Sequence, residues 1–205
     1  MLPGPELAAA LAGASLTAAH GPWSRAIGYR HLLGPPPGQT GPPQPLWGGA
    51  AKIAGARFTP PGGFDSIYLA HDPITAFIEV SALILLPGGP VPVRSAPWVV
   101  ISVEGIMNGL LDLTVAATLA ALGTTAQEMT GTWVTTPLPP TQLLARLAYD
   151  SGRIAGIKYA SAKHPGGVNL VVFSDRIAIA AGNYLEVHDP HGHLAQRLGY
   201  GILTE

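Results

Sequence analysis

Glu79 is isolated in this chain: it is the one charged side chain between Asp72 and Arg94, and it lies inside the apolar run PITAFIEVSALILL. A carboxylate so placed is costly to bury unless a distant group satisfies it. Upstream, Arg57 precedes the turn-forming Pro60-Pro61-Gly62-Gly63, and Tyr68 sits in the short apolar segment SIYLA. Arg30 follows Tyr29 near the end of WSRAIGYRHLL, while Ser161 and His164 fall in a loop between two apolar runs. Arginine grips phosphate with a planar fork of donors. A carboxylate steadies an oxocarbenium-like centre. Two arginines and one isolated carboxylate therefore suit a ligand with phosphates on one side and developing positive charge on the other. Each residue also has a plainer reading. Arg30 fits a solvated or ion-paired surface site, Glu79 the polar side of a helix, and Ser161 a simple turn.

Other chemistries find less support. The tail EVHDPHGH brings His188, His191 and His193 close to Asp189, but the spacing matches no established zinc-ligand pattern. No G-x-S-x-G elbow, G-x-G-x-x-G fingerprint or P-loop is present. The expectation is a chain without a metal site.

The elements that must position these residues read as a mixed α+β domain without a strict βαβ rhythm. The spacing predicts an N-terminal helix opening at Pro5 or Glu6, a strand within residues 23–33, and an irregular Pro/Gly loop over 34–49. SIYLA (66–70) is strand-like. Asp72-Pro73 is an N-cap followed by a first-turn proline, opening a helix over about 73–84 that carries Glu79. WVVISVE (98–104) and VNLVVF (168–173) are β-branched strands, with IAGIKYA (154–160) a third. VAATLAALG and residues 139–152 read as helices.

Composition narrows the function. The chain has 205 residues, a formal net charge of -1 and no cysteine. A single domain over 1–205 is expected. The charge argues against direct nucleic-acid binding, and the missing cysteine excludes thiol chemistry and disulfides. No run is long enough to span a bilayer and the N-terminus lacks a basic signal region, so a cytoplasmic protein is expected. Charged residues are 11% of the chain, against roughly 25% in an average domain. That implies exposed apolar surface, or apolar surface given to a partner or an oligomer.

Several segments taken together resemble the RES domain, the toxin component of a bacterial type II toxin–antitoxin system. They are GYRH (28–31), ARFTPPGG (56–63), SIYLA, FIEV (77–80), LLDLT (110–114) and KYASAKHPGGVNLVVF (158–173), spanning about residues 22–180 in order. The resemblance implies an ADP-ribosyltransferase-like fold of small central β-sheets with surrounding helices. It also implies NAD as substrate, not cofactor, cleaved between nicotinamide and ribose by hydrolysis or phosphorolysis. Glu79 would be catalytic, with Arg30 and Ser161. Arg30 and Arg57 would lie near the NAD phosphates or ribose, Tyr68 and Ser161 at the nicotinamide end. The partner implied is an Xre-like helix-turn-helix antitoxin. Transfer of ADP-ribose to a protein, or a non-catalytic interaction domain, are the alternatives. Thr59 stands where many relatives carry Asn, and the 34–49 loop is an insertion-prone position.

Overall fold

The computed structural model describes residues 1–93, 96–134 and 137–200. Helix α1 (Gly4–Gly13) leads into strands β1 (Thr17–His20) and β2 (Trp23–Gly28), and a 3-10 turn, Tyr29–Leu32, follows. After the Pro/Gly loop come helix α2 (Gly49–Ala54), strand β3 (Ser66–Ala70) and helix α3 (Pro73–Glu79). A hairpin, β4 (Leu83–Leu86) with β5 (Gly89–Pro92), precedes the long strand β6 (Trp98–Asp112). Helices α4 (Ala116–Ala121), α5 (Ala126–Thr130) and α6 (Pro140–Asp150) lead to β7 (Gly156–Ala160) and β8 (Val168–Phe173). The 3-10 helix Ser174–Ile179, β9 (Tyr184–Val187) and β10 (Arg197–Gly199) complete the order. Among the described residues no helix is long and apolar enough to cross a membrane.

The mixed α+β class expected from sequence is the class observed. One eight-stranded sheet runs β10-β9-β6-β2-β3-β8-β7, with β1 on β6, and β7 also pairs with β6 in parallel. The path therefore closes on itself through β6, β2, β3, β8 and β7. Alternating residues feed two cores. Ile67, Leu69, Leu170 and Val172 join Trp23, Val103 and Met107 on one face. Val171, Phe173, Ile157 and Tyr159 face the other side, against α1, α4, α5 and α6.

Two pairings of β2 shape the sheet around the site. β2 pairs with β6 over its whole length, from Trp23 opposite Val103 to Gly28 opposite Trp98. With β3 it shares one paired position, Ser24 opposite Ala70. The two strands part there. Arg25 bridges the gap: Nη1 donates to the Tyr68 carbonyl at 3.3 Å and Nη2 to the Trp47 carbonyl at 3.0 Å. A buried strand carbonyl needs a partner, and here a guanidinium supplies it. Burial pulls the pKa of Arg25 down to about 10, which leaves it charged at neutral pH.

Several boundaries differ from those expected from sequence. The Glu79 helix ends at residue 79, not 84. Val80 caps it, Ser81 turns the chain at φ 59°, and the leucine-rich stretch beyond it pairs as the β4–β5 hairpin. Ile84, Leu85, Leu86, Val91 and Val93 of this hairpin region are exposed, so the low charge content does appear as apolar surface. The predicted 23–33 strand stops at Gly28, and WVVISVE extends to Asp112. Strands β1, β9 and β10 and helices α2 and α5 have no counterpart among the expected elements. The tail motif is a turn: Asp189 Oδ1 accepts from the His191 and Gly192 amides at 3.1 Å each, and Oδ2 from that of Leu194.

Asp72 caps α3, accepting from the Thr75 amide at 2.9 Å and the Thr75 hydroxyl at 2.5 Å. Partial burial works to raise its pKa, but these hydrogen bonds outweigh that and hold it below the usual carboxylate range. The stabilisation it confers is therefore present above about pH 4 and is lost as pH falls through the lowered value. Asp72→Ala is expected to cost about 1 kcal/mol of unfolding free energy at pH 7. The difference from wild type shrinks toward pH 2, as read from denaturant titrations at both pH values.

Candidate active site

A row of four side-chain positions crosses the face of the sheet: Ser24 opposite Ala70, Ala70 opposite Asn169, and Asn169 opposite Tyr159. Directly opposed residues project to the same face, so these four sit side by side. Where β2 and β3 part, they floor a cavity of about 380 Å³. Tyr68, two residues before Ala70, joins the floor, and Glu79 and Val80 close it from α3. Arg57, Trp133, Val134 and Lys163 complete much of the rim. The volume is within the usual range for a small-molecule site.

Glu79 is held from behind. Its Oε1 accepts from the Ser161 hydroxyl at 2.6 Å and from Asn169 Nδ2 at 2.7 Å. Two donors on one oxygen hold the carboxylate in place and leave the other oxygen, Oε2, without a hydrogen bond among the described residues. Ser161 Oγ in turn accepts from the amides of Lys163 and His164, at 3.2 and 2.9 Å. Lys163 Nζ donates to the Glu79 carbonyl at 2.6 Å and to Ser81 Oγ at 3.0 Å, placing a cation on the open end of α3.

The loop that brings Ser161 to Glu79 is shaped by its glycines. Gly166 lies at φ +81°, and a Cβ on Gly167 would come within 2.9 Å of Thr75 Oγ1 and 3.0 Å of His164 Nδ1. That close approach lets His164 Nδ1 reach Thr75 Oγ1 at 2.7 Å. The Thr75 proton goes to Asp72, so His164 carries its proton on Nδ1 and donates. The loop is thereby fastened to the helix that holds Glu79.

Tyr68 is anchored by its hydroxyl, which accepts from the Phe58 amide at 3.1 Å and lies 2.8 Å from Thr59 Oγ1. Thr59 gives its own proton to Ser66 at 2.9 Å, so Tyr68 donates to Thr59. Burial raises the pKa of Tyr68, and burial, followed by the nearness of Tyr68 and Glu79, raises that of Tyr159. Both phenols stay neutral at physiological pH. Among the described residues, the charged groups lining the cavity are thus Glu79, Arg57 and Lys163. Arg57 Nη1 donates to the Met129 and Gly131 carbonyls at 3.0 and 2.8 Å, so the end of α5 holds it in place. Its other nitrogens make no hydrogen bond among the described residues.

The structure thus brings Glu79, Arg57 and Tyr68 to one cavity. Ser161 stands behind Glu79 instead of lining the space. Arg30 lies in the 3-10 turn after β2 and lines an adjoining cavity that meets this one at Ala26. Asn169, Tyr159, Lys163 and Trp133 were not singled out from sequence. Asn169 carried a signal, being the one polar residue in VNLVVF. No group of three or more histidine, cysteine or acidic side chains forms a metal cluster among the described residues.

A family model described as the RES domain matches residues 29–194. The chain belongs to the RES-domain family. Its fold is also similar to a chain in the crystal structure of the M.tuberculosis MbcT–MbcA toxin–antitoxin complex. The TM-score is 0.63, with 19% identity over 90% of this chain and 90% of that one. No curated protein sequence matches. The match begins at Tyr29 and so includes Arg30, Arg57, Tyr68, Glu79 and Ser161, while α1, β1 and β2 precede it. In this RES domain, Thr59 keeps the tyrosine in place through its hydroxyl.

Tyr68→Phe is expected to destabilise the fold by roughly 1–3 kcal/mol, because the Phe58 amide loses its acceptor and Thr59 its donor. Chemical denaturation checks this. A loss below about 0.5 kcal/mol would show that the hydroxyl does not hold the ring as described.

Proposed function

We propose that this RES domain is the toxin of a type II toxin–antitoxin pair and acts by cleaving NAD between nicotinamide and ribose. The observation that carries the reading is the one-sided carboxylate: Glu79 lines the cavity with Oε1 fixed by Ser161 and Asn169, while Oε2 has no hydrogen-bond partner among the described residues. In the reaction, the bond between ribose C1′ and the nicotinamide nitrogen breaks, and its electron pair leaves with a neutral nicotinamide. Positive charge then develops on C1′ and the ring oxygen. A negative charge preorganised beside them, away from bulk water, lowers that barrier.

The remaining residues have roles to match. Ser161 and Asn169 position Glu79, and Lys163 fixes the backbone at its carbonyl. The Tyr68 and Tyr159 rings offer flat apolar walls for nicotinamide. Arg57, with donors to spare, faces the phosphate side. Water or inorganic phosphate then attacks C1′, giving ADP-ribose and a proton or the corresponding ADP-ribosyl phosphate. The sequence resemblance supplies the NAD specificity, with NAD consumed as substrate.

A toxin of this kind acts in the cytoplasm, where depletion of NAD arrests growth. Its partner on this reading is a small Xre-like helix-turn-helix antitoxin that covers the cavity and carries any DNA binding. The MbcT–MbcA complex is a toxin–antitoxin pair on a similar fold. The exposed apolar hairpin and low charge content suit a surface that a partner covers.

Purified protein incubated with NAD is expected to release free nicotinamide. Glu79→Gln should reduce kcat by roughly a hundredfold or more. Asn169→Leu and Ser161→Ala each remove one charge-assisted hydrogen bond to that carboxylate, and each should cost about tenfold, mainly in kcat. Absence of release by wild type, or full activity in Glu79→Gln, would overturn the enzymatic reading. Adding inorganic phosphate distinguishes phosphorolysis from hydrolysis by the product formed. A labelled protein band with little bulk NAD loss would instead mark transfer to protein.

A further inference from the structure

Beyond Ser24, the edge of β2 that faces β3 has no strand partner among the described residues, and a second cavity of about 360 Å³ opens beside it. The two cavities share Ala26, the smallest chiral residue, as their common wall. The second is lined by Arg25, Arg30, His31, Gln44, Trp47 and Trp98, with the prolines of the 34–49 loop around them.

Both indoles are set against glycines. Trp98 opens β6 opposite Gly28, and its ring lies 4.0 Å from where a Cβ on Gly28 would stand. Trp47 lies so close over Gly49 that a Cβ there would fall 2.3 Å from the indole. The backbone at Trp47 is also tied down. The amide of the preceding residue, buried Leu46, donates to Gln196 Oε1 at 2.6 Å, and the Trp47 carbonyl accepts from Arg25. Arg30 Nε donates to His31 Nε2 at 3.1 Å, which places the imidazole proton on Nδ1. The terminal nitrogens of Arg30 make no hydrogen bond among the described residues.

Two aromatic faces beside a cation with unused donors match a planar base attached to phosphate. Every base has a π-face that stacks on an aromatic side chain, and a guanidinium binds phosphate through a planar fork. We infer that this second cavity seats the adenosine half of the dinucleotide, with the adenine on the indoles of Trp47 and Trp98. The pyrophosphate crosses at Ala26 and meets Arg30. Arg57 and Arg30 then take opposite ends of the phosphate chain, each from its own cavity. This inference rests on the NAD reading for the identity of the ligand, but its site is a separate one.

The test compares NAD with nicotinamide mononucleotide, which carries the same scissile bond and lacks the adenylate half. Trp47→Ala and Trp98→Ala are each expected to lower kcat/KM for NAD by about tenfold, through KM, and to leave the mononucleotide unaffected, in line with the loss of one stacked base. Equal losses on both substrates, or none on either, would overturn the assignment. Calorimetric titration with AMP gives a readout that needs no turnover. Wild type should bind AMP, and Trp47→Ala should bind it about tenfold more weakly or worse. Gly49→Ala, which displaces the indole without removing it, should weaken AMP in the same direction. If wild type does not bind AMP, the site assignment fails whether or not nicotinamide is released. AMP binding without nicotinamide release would uphold the site and overturn the cleavage reading instead.

Discussion

The parting of β2 from β3 after one shared position governs most of what this structure can do. Each strand keeps a full ladder on its other side, β2 with β6 and β3 with β8, so the separation leaves the sheet intact elsewhere. It opens a wedge inside a sheet that otherwise closes on itself. Into that wedge goes Arg25, whose guanidinium takes the carbonyl that a neighbouring strand would have taken. Both cavities border this wedge, one on each side of Ala26. A side chain with a fork of donors is well suited to the position, since it reaches two carbonyls from different segments at once.

The second organising element is the hydrogen-bonded back of Glu79. An ionised carboxylate next to apolar walls needs donors, and those come from β8 and from the loop between β7 and β8. The same loop is fastened to the start of α3 through His164, Thr75 and Asp72. Helix α3 is therefore gripped at its first turn and at its last residue by one loop. A displacement of this loop as a whole would strain both attachments, and this couples the geometry of the carboxylate to the pairing of β7 with β8.

Local chemistry was legible where a short stretch of sequence decides the outcome. Asp72-Pro73 declares a helix start because the cap and the first-turn proline act within three residues. SIYLA and VNLVVF declare strands because β-branched and apolar residues leave few alternatives. The helix expected to run on to about residue 84 ends at Glu79: apolar composition does not distinguish a helix from the hairpin strand that Leu83 and Ile84 enter. Ser81, in a left-handed conformation, decided that outcome. Strands β9 and β10 have sequences that gain meaning only from the partner they pair with. Ser161 could be read as important, but its position behind Glu79, out of the cavity, depends on a contact spanning 82 residues. Arg30 and Arg57 look equivalent in sequence, and the fold separates them into different cavities.

The loop before Trp47 holds Pro35, Pro36, Pro37, Pro42, Pro43 and Pro45. It has almost no regular structure, and hydrogen bonding holds it only sparsely. Each proline ring nonetheless fixes one backbone torsion in the unfolded chain as well as the folded one. Less conformational entropy is therefore lost when the segment settles over the sheet edge. One wall of the second cavity owes its stiffness to composition, with no helix or strand behind it. A segment of this kind can change in length from one chain to another and still present a defined surface, because its rigidity travels with the prolines.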